Sequence, residues 1–234
     1  MIEYFNGIAL IVGDSHICRW IKESGRLDHD TNVLPRVLHF VPENGVVIDA
    51  GGFCGDQTVA YANKVGINGK VIAFEPFPEA FQCLEHNMKE SPQVICENMA
   101  LGNRNGFVKP IALNENFGMA IVEDLSNDIE NVGEINIAKL DSYIETFPYE
   151  FTQLDFLKID TEGFEIDVLQ GAKQTIEKFK PVMFIEVNEH TLKAKGYTKN
   201  DLLQTIHDLG YTYRNVYEEQ GLDDEQFDVL CFPK

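Results

Sequence analysis

Two stretches of this 234-residue chain place reactive side chains at spacings that suit chemistry. In Leu157-Lys158-Ile159-Asp160-Thr161-Glu162-Gly163 an apolar run ends in two carboxylates. A second apolar run, Val182 to Val187, carries Glu186 near its end, with His190 four residues further on. Carboxylates and an imidazole that converge beside a bound molecule can take a proton from an attacking group. The imidazole does so because it titrates near neutral pH, a carboxylate where like-charged neighbours raise it. Asp160, Glu162, Glu186 and His190 are therefore the candidate catalytic residues. The same oxygen-rich set suits a magnesium-type ion, which would hold paired oxygens and lower a hydroxyl pKa; spacing alone selects neither use. Two of the four also have plainer readings. Glu162 stands where an acid would cap the helix that begins near Phe164, and His190 sits where a surface histidine often opens a helix. Asp160, directly after a strand of core residues, fits a site best.

A further stretch is the turn Asp49-Ala50-Gly51-Gly52-Phe53-Cys54-Gly55. Glycines there let the backbone reverse sharply and approach a ligand that a Cβ would hold off. A dinucleotide fingerprint G-x-G-x-x-G needs glycine at Ala50 and so is not met. Glu75, at the end of the next apolar run, is placed to accept hydrogen bonds from both ribose hydroxyls of an adenosine moiety. That acid would serve NAD equally, so the turn separates the possible cofactors better than Glu75 does.

These residues need elements to position them. After residue 45 short β-rich runs alternate with helical periodicity, the pattern of a parallel sheet covered by helices. Val46 to Ile48, Val71 to Phe74, Val94 to Glu97, Leu154 to Ile159 and Val182 to Val187 read as strands. Pro76 ends the second, since proline donates no ladder hydrogen bond. Asp56 to Val65 and Pro78 to Lys89 read as helices, the latter from Phe81, Leu84 and Met88. One further helix carries Ile166, Leu169, Ala172, Ile176 and Phe179 and ends before Pro181. Asn200 to Leu209 is another, and Tyr211 to Val216 pairs antiparallel with Phe227 to Phe232. Between Gly106 and Ile137 the periodicity weakens into an inserted antiparallel excursion or lid.

A chain this size with 44% hydrophobic residues suits one well-filled core. Its net charge of -19 repels phosphate backbones, so no nucleic-acid partner is expected. The apolar runs are far shorter than the ~20 residues a membrane span needs. Five scattered cysteines with no C-x-x-C pair argue against a disulfide framework and a zinc site, and point to the cytoplasm.

The spacing Asp49-x-Gly51-x-x-x-Gly55 matches the turn of class I methyltransferases, and over nearly its whole length the chain resembles the FkbM methyltransferase family. The segments that carry the resemblance are VIDAGGFCG (Val47 to Gly55), GKVIAFEP (Gly69 to Pro76), NMALGNRNG (Asn98 to Gly106), LKIDTEG (Leu157 to Gly163), VLQGA (Val168 to Ala172) and PVMFIEV (Pro181 to Val187). It departs from the family at Gly52-Phe53-Cys54, where Ala-Asn-Ile is more usual, so an asparagine contact is missing from the turn.

The resemblance implies an α/β, Rossmann-like class I fold, with a mostly parallel seven-strand sheet, helices on both faces and an N-terminal helical lid. On that basis residues 1–45 form the lid segment and 46–234 the methyltransferase domain. It further implies S-adenosylmethionine as donor, held by Asp49, Gly51, Gly52, Phe53, Gly55, Glu75 and Pro76, with Asn98 and Met99 on the adenine side. The acceptor would be a hydroxyl of a sugar or glycan, or else of a polyketide or other small molecule. His16 and Arg19 on the leading helix, and Asn116 in the Asn/Gly segment, are the implied acceptor-binding residues; a histidine on such a helix is more often a packing residue. Two other classes stay in view: an NAD-linked oxidoreductase, which Ala50 and Asp160-Thr161-Glu162-Gly163 disfavour, and a catalytically silent binding domain of the same fold.

Overall fold

The structure, a computed structural model, describes residues 1–14, 16–113, 116–124, 135–147 and 151–234, and of residues 110–113 and 116–124 the backbone alone. The chain opens with a hairpin of β1 (Ile2–Phe5) and β2 (Ile8–Ile11), where a leading helix alone was expected. Its two-residue turn is Asn6-Gly7, both at positive φ (51° and 85°), the residue pair that most favours a tight hairpin. Helices α1 (Ile17–Ser24) and α2 (Leu34–Leu38) follow. Asp14 Oδ1 accepts from the Cys18 N–H at 2.8 Å and so satisfies a free donor in the first turn of α1.

The alternating part then runs β3 (Val46–Ala50), α3 (Thr58–Val65), β4 (Lys70–Phe74), α4 (Pro78–Met88) and β5 (Val94–Glu97). The weakly periodic region holds β6 (Met99–Leu101), β7 (Gly106–Leu113), β8 (Asn116–Asp124) and β9 (Ile135–Ala138). They form a separate four-stranded sheet, in which β7 pairs antiparallel with β8 and β9 while β6 and β9 are parallel. The remainder is α5 (Leu140–Thr146), β10 (Phe156–Ile159), α6 (Glu165–Gly171), α7 (Lys173–Phe179), β11 (Val182–Asn188), α8 (Glu189–Ala194), α9 (Lys199–Asp208), β12 (Tyr211–Asn215) and β13 (Gln226–Pro233).

The single helix expected after Gly163 is thus two, α6 and α7. A second helix caps the break: Asp141 of α5 accepts from the Gln174 and Thr175 N–H groups and from Thr175 Oγ1, so α7 starts afresh at its own N-terminus.

The central sheet has the seven strands expected, in the order β12-β13-β11-β10-β3-β4-β5. Its inner strands are parallel, and β12 and β13 add the antiparallel edge. Strand side chains alternate between two cores. Ile48, Ile72, Leu157 and Ile185 face Leu140, Ile166, Leu169, Ile176 and Ile206, whereas Val47, Val71, Phe156 and Phe184 face Val37, Val41, Tyr61 and Val65. Burial on both faces is why these strands read as unbroken apolar runs. From β3 the chain moves outward through β4 to β5 and returns to β10 on the other side. The carboxyl ends of β3 and β10 therefore open a crevice.

The N-terminal hairpin is fastened to the glycine turn through α4. Asn87 Oδ1 accepts from the Ala9 N–H at 2.7 Å, while its Nδ2 donates to Ala9 O at 3.0 Å and to Cys54 O at 2.7 Å. Ala9, Leu10, Ile11, Cys18 and Ile21 pack with Phe53, Cys54, Phe77 and Cys83 in one cluster. Asn87→Ala removes all three bonds and leaves part-buried polar groups unpaired, so a loss of about 1–3 kcal/mol in unfolding free energy is expected by urea denaturation. An unchanged midpoint would show that the hairpin is held by packing alone.

Candidate active site

The crevice between β3 and β10 widens into a cavity of about 510 Å³. Its walls come from the glycine turn, the ends of β4, β10 and β11, strand β6 and the first turn of α1.

One cation organises the floor. Lys158, only 2% exposed, sits in β10 directly opposite Asp49 of β3 in the parallel register. Its Nζ lies 3.2 Å from Asp49 Oδ1 and 3.6 Å from Asp160 Oδ2, and donates to the Gly51 carbonyl. Burial by itself would lower the Lys158 ammonium, but Asp49, Asp160 and Asp56 hold it above the ordinary lysine value. Asp49 Oδ2 accepts from Thr58 Oγ1 at 2.7 Å, which ties the strand end to α3. Gly51 has φ 88°, and a Cβ there would run into the Asp160 carbonyl, so the two walls touch backbone to backbone.

Beside this floor lies the half suited to a nucleoside. The Gly51 and Gly52 N–H groups both donate to Phe74 O at 2.9 Å, and Phe53 takes a positive φ of 46°. Glu75, 6% exposed, accepts from the Phe53 N–H at 2.8 Å and the Phe77 N–H at 2.7 Å, one on each oxygen. Each oxygen keeps a lone pair for a further donor. Burial pushes the Glu75 carboxyl up to about 7, against the pull of those two N–H groups and Lys158. Gly51, Phe53, Glu75, Pro76 and Met99 line the cavity. Asp49, Gly52, Gly55 and Asn98 stand behind it. Asn98 Nδ2 donates to Glu75 O and Pro76 O at 2.8 and 3.2 Å, so it shapes the wall through the backbone.

The other half is acidic. Glu165 Oε1 accepts from the Thr161 N–H, the Gly163 N–H and Thr161 Oγ1 at 3.0 to 3.1 Å, and so closes the turn that leads into α6. Among the described residues no side chain caps α6, and Glu162, which a plainer reading assigned to that cap, lines the cavity at φ 53°. Ligand oxygens of Asp160, Glu162 and Glu186 all lie within 4.8 Å of one another. Burial, then Asp160, pushes the Glu162 carboxyl up to about 9, and Glu186 also lies well above the usual carboxylate range, chiefly through burial. Glu186 Oε1 accepts from Gln226 Nε2 at 2.9 Å. Asp228, opposite Glu186 in the β11–β13 register, is pushed by burial to about 7. His190 opens α8 at the cavity rim, exposed, its N–H donating to Asn188 Oδ1 at 3.1 Å.

The remaining candidates separate. His16 lines the cavity, at the start of α1. Arg19 does not; it is solvent-exposed, 3.8 Å from Glu23, because the helix turns it away from the face that carries Trp20. Asn116 opens β8, and its side chain lies outside the described residues, as do residues 114–115 of its loop. Residues not singled out beforehand also line the site: Lys158, Trp20, Asp56, Phe164, Asn188 and Gln226. A signal existed for Lys158, as a lone charge inside an apolar strand two residues from Asp160. Gln226 carried none, since only strand pairing brings it to Glu186.

Residues 45–213, more than half of the chain, match the family described as the methyltransferase FkbM domain. The chain is 24% identical over 149 residues to methyltransferase 1 of Beauveria bassiana, covering 56% of this chain and 59% of that protein. It is 26% identical over 178 residues to the hexuronic acid methyltransferase AglP of Haloferax volcanii, covering 73% of this chain and 66% of that protein. It therefore spans somewhat under two thirds of the length of these curated relatives. The crystal structure of methyltransferase FkbM from Methylobacillus flagellatus shares the fold at a TM-score of 0.54 and 16% identity, over 81% of this chain and 43% of that one.

Replacing the ammonium with an apolar side chain tests the floor. Lys158→Met leaves Asp49 buried without its cation, and a loss of about 3–5 kcal/mol in unfolding free energy is expected by denaturant titration.

Proposed function

The chain belongs to the FkbM methyltransferase family, and from that premise we propose that it transfers a methyl group from S-adenosylmethionine to a hydroxyl, foremost that of a sugar. The observation that carries this reading is the cavity itself: a nucleoside-sized half built on Gly51, Phe53 and Glu75 continues into an acidic half built on Asp160, Glu162 and Glu186. Bound there, S-adenosylmethionine supplies an electrophilic methyl on a sulfonium. Glu75 would accept from the ribose hydroxyls, and Met99 and Phe53 would hold the base and the methionyl chain. Asp160, with its side chain 34% exposed and oriented by Lys158, would accept the acceptor hydroxyl's hydrogen bond and take its proton as the oxygen–methyl bond forms and the methyl–sulfur bond breaks, the thioether leaving. Glu162 and Glu186 hold further acceptor hydroxyls.

The likeness to a hexuronic acid methyltransferase supports a sugar, and the net charge of -19 supports a small-molecule or glycan acceptor over nucleic acid. All five cysteines are free, which suits a reducing compartment such as the cytoplasm. Among the described residues no helix is long and apolar enough to cross a membrane.

Calorimetry decides the cofactor: saturable heat with S-adenosylmethionine is expected, and none at millimolar ligand would sink the proposal. Asp160→Asn is expected to lower turnover by about 10²-fold or more with cofactor affinity retained. Glu75 adds a pH signature. Its folded value lies above the ordinary carboxylate one, so the ionised form that best accepts from a ribose diol fills only as pH rises through about 7. Cofactor affinity should strengthen between about pH 6 and pH 8, and in Glu75→Gln should be weaker and flat. Lys158 and Asp49 face the same carboxyl and are unchanged in that variant. The linked stability contribution has the opposite sense: complete below the ordinary carboxylate value, it is lost as pH climbs to about 7.

A further inference from the structure

We infer that Asp160, Glu162 and Glu186 form a divalent-cation site, of the magnesium or manganese class, at the acceptor end of the cavity. The placement of the site rests on geometry alone; its use on an acceptor rests on the methyl-transfer reading above.

Two adjacent strand ends supply the ligands. Asp160 directly follows β10, Glu162 lies two residues on in the same turn, and Glu186 comes from β11, which β10 pairs in parallel. One oxygen from each lies within 4.8 Å of the other two, so an ion between them needs little contraction to reach ordinary metal–oxygen distances of roughly 2.0–2.6 Å.

Proximity of acids is not sufficient, and the second observation concerns what those oxygens touch. Among the described residues Glu162 Oε2 and Glu186 Oε2 are closed off from solvent without a hydrogen-bond partner; Glu165 Oε2 and Asp49 Oδ1 are too, but Asp49 Oδ1 has Lys158 Nζ at 3.2 Å and neither of those two acids belongs to the three-carboxylate group. Native structures rarely leave buried acceptors in that condition without a ligand or ion to complete them. The nearby ammonium does not complete them. Lys158 Nζ is directed at Asp49, the Gly51 carbonyl and Asp160, and is paired with neither glutamate. The supporting contacts fix the ligands instead. Gln226 Nε2 holds the other Glu186 oxygen at 2.9 Å, and the bonds that Glu165 makes to Thr161 and Gly163 clamp the backbone on either side of Glu162. Outer partners of this kind orient metal ligands in built sites.

An all-oxygen set of carboxylates selects a hard cation. A magnesium-class ion keeps several coordination positions for water or substrate, and here those face the open cavity. The acceptor class that follows is a compound with two adjacent oxygens, such as a vicinal diol or a hydroxyl beside a carboxylate. The second would place an anionic sugar against an otherwise repelling acidic wall. The ion would supply a lowered hydroxyl pKa, and the Asp160 oxygen not engaged with it would receive the proton.

Manganese(II) titration followed by electron paramagnetic resonance tests the site on the full chain, with neither cofactor nor acceptor present. One saturable manganese per chain, displaced by magnesium, is expected, with affinity falling roughly 10- to 100-fold or more in Glu162→Gln and in Glu186→Gln. Both variants are near-isosteric; circular dichroism checks that they fold. Absence of saturable binding at millimolar manganese, or equal affinity in wild type and both variants, overturns the inference. Calorimetry with S-adenosylmethionine on the same samples separates the two readings: manganese bound without cofactor binding leaves the metal site standing and removes the transferase, and the reverse result removes the metal alone.

Discussion

The site depends on one buried ammonium. Lys158 joins β10 to β3 at the point where the sheet changes direction, and its contacts to Asp49, the Gly51 carbonyl and Asp160 belong to both walls of the crevice. A charge withdrawn this far from water is tolerable only when paired and hydrogen-bonded, and those partners are the residues that shape the cavity. Moving β10 by one residue would turn Lys158 into the opposite core of leucines and isoleucines. The register of the parallel pair is thereby held by electrostatics as well as by packing.

With the cation committed to Asp49 and Asp160, the acids beyond it meet a different environment. Glu165 is bonded through one oxygen to the turn that leads into α6, whereas Glu162 enters the cavity. Glu162 and Glu186 are both raised by burial first, then by Asp160 and Glu165. A site in that state is poised to exchange protons for a positively charged or proton-donating ligand. The half built on the glycine turn is arranged differently, with Glu75 accepting two backbone N–H groups. One cavity thus offers a fixed hydrogen-bonding end and an electrostatically adjustable one.

The glycine turn is held from outside as well as from below. Asn87 bonds both to Ala9 of the hairpin and to Cys54 of the turn, and Phe53 and Cys54 pack into the cluster that carries α1. The hairpin and α1 therefore position Trp20 and His16 at the rim. Phe53 and Cys54 are apolar where the N-terminal segment packs down on the turn.

Local pattern alone determined most of the fold. Apolar runs buried on both faces announced the parallel strands, and Asp49, Gly51 and Gly55, Glu75 and Asp160 were legible because each ends such a run. Asn6-Gly7 was equally legible as a hairpin, although helical expectation for the N-terminus passed over it. What the tertiary structure alone decided was partnership. That Lys158 faces Asp49, that Asp141 splits a helix in two, and that Gln226 reaches Glu186 are all matters of register and of contact between distant segments. A hydrogen bond or ion pair needs its partners within a few ångströms, and one-dimensional spacing carries that information only inside a single helix or strand.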